Sequence, residues 1–150
     1  MQPRLKYWTI APEGVKAMTA LYKYLPACGL EPALIHLVFL RVSQINGCAY
    51  CVDLHTRDAL AAGDTPRRVA TVVTWRETPF FTPRERAAFA WAEAVTRIAE
   101  THAPDADYEA LKAHFSEKEI VDLTLAISLM NALNRMAISF RRGPAAEVAT

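Results

Sequence analysis

The stretch Ile45-Asn46-Gly47-Cys48-Ala49-Tyr50-Cys51-Val52-Asp53-Leu54-His55 decides both how this chain folds and where its chemistry lies. Before it, Leu34, Leu37, Val38, Val42 and Ile45 recur at helical spacing from Pro32 to Asn46, and Gly47 ends or bends that helix. After it, a second helix runs from about Cys48 to Ala62 and stops at Gly63. Cys48 and Cys51 stand at i and i+3 and Cys51 and His55 at i and i+4. A helix of about 3.6 residues per turn therefore projects two thiols and an imidazole the same way.

Outward from this pair, helix signals dominate and alternating strand-like runs are missing, so the fold is expected to be all-α, a bundle of about six to seven helices. A helix from Glu13 to Leu25 ends at Pro26 and Gly29, and Thr65-Pro66 opens a short helix. Thr82-Pro83-Arg84-Glu85 and Ser116-Glu117-Lys118-Glu119 read as capping boxes. They open helices to about Glu100 and about Arg142, with a short helix reaching Phe115 between them. Without a linker or repeat, residues 1–150 read as a single domain.

Composition narrows the function. A net charge of +1 with mixed signs gives no basic stripe for nucleic acid and no polybasic membrane anchor. The apolar stretch from Val121 to Phe140 is interrupted by Asp122, Asn131, Asn134 and Arg135, which a packed bundle tolerates and lipid does not. The first residues lack the apolar run of a secretory signal, so a cytoplasmic location is expected. Three cysteines fit a reduced compartment with one working pair, leaving Cys28 as a small buried hydrophobe.

A thiolate attacks peroxide oxygen or disulfide sulfur, so a reactive cysteine needs positive potential or a neighbouring base. Cys48 lies near a helix N-terminus and Cys51 has His55 one turn onward; spacing alone leaves open which is the more reactive. Two other readings exist: plain packing, and a zinc site completed by His36, His102 or His114. The zinc reading is disfavoured because structural zinc generally draws ligands from two separated knuckles; no metal or cofactor is expected.

The run Leu40 to Thr56, its extension through Arg57-Asp58-Ala59 and Ala62-Gly63, and the segments Thr82 to Thr96 and Phe115 to Arg142 resemble the alkylhydroperoxidase D-like branch of the carboxymuconolactone decarboxylase family. The resemblance implies an all-helical homo-oligomer, a trimer or hexamer, that acts as a thiol-dependent alkyl hydroperoxide reductase. It implies Cys51 as the attacking thiol that becomes a sulfenic acid, Cys48 as the resolving thiol and His55 as the base. The partners implied are a hydroperoxide substrate and a dithiol reductant protein.

Two positions depart from the pattern. Family peroxidases carry a glutamate twelve residues before the first cysteine; here that position is His36, read as a hydrogen-bonded core or interface histidine ahead of a substitute relay group. Tyr50 lies between the cysteines as a pocket residue, and Glu31 is turned away by helix phase. The alternative function is a low-turnover redox sensor or interaction protein on the same scaffold. Trp75, Phe80, Phe81 and Trp91 are expected in the core or at oligomer contacts, and His102 and His114 at the surface.

Overall fold

Proline at the first turn and glycine just past the last set the bounds of the helix on which everything else packs. In the computed structural model, which describes residues 2–145, α4 spans Pro32–Asn46 as expected. Nine consecutive or nearly consecutive positions of α4, from Leu34 to Ser43, are buried. A helix apolar on all sides belongs at the centre of a bundle. Around it pack α5 (Ala49–Ala61), α7 (Pro83–Thr96) and α10 (Glu117–Ser139). Shorter pieces complete the chain: α1 (Tyr7–Ile10), α2 (Pro12–Met18), α3 (Leu21–Tyr24), α6 (Pro66–Thr71), α8 (Ile98–Thr101) and α9 (Asp105–Lys112). The described residues hold ten α-helices and no strand, six of the helices being seven residues or longer.

The chain reverses from α4 to α5 over two residues, the first of which is Gly47. Gly47 takes a left-handed φ of 70°, while Cys48 N donates to Ser43 O at 3.0 Å and Gly47 N to Gln44 O at 3.3 Å. These bonds satisfy the last carbonyls of α4, and the left-handed angle suits a residue without Cβ. Both capping boxes form: Thr82 N donates to Glu85 Oε2 (2.7 Å) and Ser116 N to Glu119 Oε2 (2.8 Å), with the reciprocal backbone bonds present.

Three helices are shorter than their sequence signals suggest, and the breaks in two of them, with the short α1, carry the helix count above six to seven. The expected Glu13–Leu25 helix breaks into α2, α3 and a 3-10 turn over Leu25–Ala27. None of α2 is buried, so no packed face holds the helix together past Thr19, whose hydroxyl donates back to Val15 O at 2.8 Å. The helix from Pro83 yields at Arg97, where Thr101 Oγ1 reaches back to Ala94 O at 2.6 Å. The last helix ends at Ser139 instead of near Arg142, with Arg141 at φ 55° ahead of the expected stop at Gly143.

Several polar groups inside the bundle are paired across helices. Glu93 of α7 accepts from Arg41 Nε (2.8 Å), Trp75 Nε1 (2.8 Å) and Arg76 Nη1 (2.5 Å). Burial would raise its carboxyl, but the donors from Trp75, Arg76 and Arg41 outweigh that and hold it below the usual carboxylate range. On the α10 side, Asn46 Nδ2 donates to Asn131 Oδ1 (3.0 Å) and Asn134 Oδ1 (2.9 Å), and Asn134 Nδ2 to Ser43 Oγ (3.1 Å). Arg135 is exposed. Trp75, Phe81 and Trp91 are buried and Phe80 is half-buried, as expected.

Removing one partner of a buried ion pair strands the other. Glu93→Gln should therefore lower the unfolding free energy by ~3 kcal/mol in urea denaturation. A loss below about 1 kcal/mol, the range of exposed ion pairs, would show that Arg41 finds other compensation.

Candidate functional site

Because α5 begins directly after the Gly47 reversal, its first residues meet the central helix with little freedom. Cys48 is the N-cap: Cys51 N donates to Cys48 Sγ at 3.3 Å. The sulfurs of Cys48 and Cys51 are paired as a disulfide, with Cα atoms 5.3 Å apart. Both cysteines and His55 are buried. Cys28 is the remaining free cysteine among the described residues and is buried away from this pair, as read.

The dithiol faces two cavities. Cys51, Tyr50 and His55 line one of about 150 Å³, closed by Tyr22, Met130 and Arg142. Arg142 lies 3.9 Å above the Tyr50 ring and donates to the Tyr50 hydroxyl at 2.6 Å. Tyr50 thus anchors an arginine at the pocket wall. Cys48 instead borders an open cavity of about 770 Å³ with Arg4, Arg141 and Arg142.

His55 also lines a third cavity, of about 300 Å³, together with His36 and Asp58. Its Nδ1 is 3.2 Å from Asp58 Oδ2, near enough for charge to act, but it is out of line for a hydrogen bond and no other partner fills the place. His36, from the first half of α4, has a buried Nδ1 with no partner either. It is thus not the satisfied core histidine that the sequence suggested; it stands beside His55. Burial pushes the His55 imidazole down to about 4; Asp58 opposes the shift and His36 adds to it. The ring is neutral at pH 7.

Asp58 was missed in sequence, although its i+3 spacing from His55 was a readable signal. Arg142 carried no such signal, since Tyr50 and Tyr7 become its neighbours only through the fold. Glu31 forms a two-point ion pair with Arg84, with both distances 3.1 Å, and takes no part in the site. His102 and His114 lie at the surface, out of reach of a zinc site with the cysteines.

Residues 12–94 match the carboxymuconolactone decarboxylase family, and the helical hairpin carrying the dithiol falls inside that range. The chain belongs to this family. It is 39% identical to protein YdfG of Bacillus subtilis (strain 168) over 93% of this chain and 95% of that protein. Among solved structures it is similar to ATU0492 from Agrobacterium tumefaciens, a protein of unknown function suggested to be an AhpD antioxidant defence protein. There the TM-score is 0.94 and the identity 45%, over 97% of this chain and all of the other. A peroxidase-related protein from Silicibacter sp. TM1040 matches at TM-score 0.78 and 28% identity, covering 90% of this chain and 72% of that one. No described helix is long and apolar enough to cross a membrane.

The depressed His55 makes a prediction for acid stability. A histidine that is neutral in the folded state takes up a proton more readily on unfolding. Its contribution is therefore intact above about pH 6.5 and declines as pH falls towards about 4, by ~3 kcal/mol in total. Urea midpoints measured across that window should drop less steeply for His55→Asn than for the parent. Parallel curves would mean that the ring does not titrate as its burial implies.

Proposed function

We propose that this protein is a dithiol oxidoreductase that reduces hydroperoxides, with Cys51 attacking, Cys48 resolving and His55 moving the proton. The observation that carries the reading is the pairing of Cys48 with Cys51 at the head of α5, with His55 lining the same cavity as Cys51. The names of two similar structures, one peroxidase-related and one suggested to be an antioxidant defence protein, support it.

The sequence of steps follows from the positions. His55, neutral at rest, takes the Cys51 proton, and the imidazolium formed is favoured by Asp58 close to its Nδ1. The Cys51 thiolate attacks one peroxide oxygen, the O–O bond breaks, and the departing alkoxide takes a proton from the imidazolium. Cys51 is left as sulfenic acid. Cys48, whose sulfur accepts the Cys51 backbone N–H at the helix N-terminus, attacks it; water leaves and the disulfide forms. An external dithiol then returns two electrons, reaching the pair from the Cys48 side, where the cavity is wider. We take the chain as one domain that assembles into a homo-oligomer, with exposed Ile10, Val73, Ile98 and Val121 available for subunit contacts, and that works in the cytoplasm.

Mixing the reduced protein with an alkyl hydroperoxide in a stopped-flow instrument tests the roles separately. Cys51→Ser should lose the fast oxidation by at least ~10²-fold. Cys48→Ser should keep the first oxidation and accumulate sulfenic acid that a dimedone probe captures. If parent and Cys51→Ser react alike, the protein is not a peroxidase and the sensor or interaction role takes its place.

Position 36 has its own test. His36→Glu places a carboxylate beside His55 in place of a ring that opposes its charging, and should speed Cys51 oxidation by ~10-fold. An unchanged rate at every pH would exclude position 36 from the relay.

A further inference from the structure

The wall between the Cys51 cavity and its neighbour holds His36 beside the two groups, His55 and Asp58, that handle the proton in the dithiol reaction. His36, His55 and Asp58 each present one donor atom, and the three atoms lie within 4.8 Å of one another. His36 Nδ1 and His55 Nδ1 are both buried without a hydrogen-bond partner, and His55 is only 3% exposed. Buried polar atoms are rarely left unpaired, and imidazole nitrogens beside a carboxylate are a donor set suited to a metal cation. Asp58 meets no lysine or arginine among the described residues; its neighbour Arg57 is taken by Asp53 at 2.7 Å. The partly exposed Asp58 carboxylate therefore has no cationic side chain beside it at the cluster.

We propose that His36, His55 and Asp58 form a binding site for a divalent transition-metal ion of the zinc class. Two imidazoles and a carboxylate are the donor set that suits such ions, and the i, i+3 pair on α5 supplies two donors while α4 supplies the third. Ligands at ~2.1 Å from a tetrahedral ion lie about 3.4 Å apart. The 3.2 Å between His55 Nδ1 and Asp58 Oδ2 already meets that. A rotation of the half-buried His36 ring closes the remainder. The fourth position opens into the 300 Å³ cavity, which leaves room for water or a small ligand. With Nδ1 on the metal, the ring keeps its one proton on Nε2 and can no longer accept another. On the dithiol reading above, the metal-bound protein is therefore the one in which Cys51 has lost its base.

The test uses the full chain oxidised to the Cys48–Cys51 disulfide and stripped with chelator, so that no thiolate of the pair competes. Calorimetric titration with Zn²⁺ at neutral pH should give one equivalent bound and a rise in Tm. His36→Ala and Asp58→Asn should each weaken binding at least ~10-fold, since even second-shell changes cost that much. Asp58→Asn alters only one oxygen and keeps the test valid if the alanine variant folds poorly. No binding to the parent, or equal binding by both variants, overturns the proposal. Peroxide reactivity is measured on the reduced, metal-free protein, so either reading can fail without the other.

Discussion

A helix at the centre of a bundle needs partners inside the protein for the polar groups it buries, and α4 carries Arg41, Ser43 and Asn46 on its buried or half-buried surface. Arg41 is answered by Glu93 of α7, Ser43 by Asn134 of α10, and Asn46 by Asn131 and Asn134 together. Apolar packing alone is non-directional and would let these helices slide. Buried hydrogen bonds have one register, and misalignment would strand several polar groups at once. The polar ties thereby fix where α4 sits, and α4 in turn sets where α5 and its thiols face.

The site inherits this order. Cys48 and Cys51 open onto different cavities because the first turn of α5 is wedged between α4 and the end of α10, where Arg142 closes over Tyr50. His55 is placed one turn deeper, out of water, so its neutral form dominates. Burial makes the ring a proton acceptor at rest, and the carboxylate near Nδ1 limits the cost of its brief protonation.

Much of this was readable in the residues. Pro32 and Gly47 bracket α4 with no error, both capping boxes form, and Cys51 and His55 line one cavity in keeping with their i, i+4 spacing, while Cys48 stands just outside the helix as its N-cap and borders another. These features depend on neighbours within one or two turns. The breaks at Thr19 and Arg97 were not readable, because whether a weak helix continues depends on what packs against it. The company kept by His36 was hidden for a similar reason. Its distance from His55 depends on how α4 lies against α5, which no periodicity within either helix encodes. Asp58 alone was within reach of a local rule.

The two-residue reversal at Gly47 and Cys48 also bears on how relatives of this hairpin can diverge. A residue inserted there would break the bonds that cap α4 and free α5 to turn, taking the cysteines and His55 off their present faces. Loops elsewhere can lengthen without such an effect, since the connection after Ala61 follows the last cluster residue of α5 and that after Thr96 joins elements that carry none of the cluster. Length variation that preserves chemistry is thus confined to those outer connections. The junction behaves like the pivot of a pair of compasses, where a small change in setting redraws the whole arc.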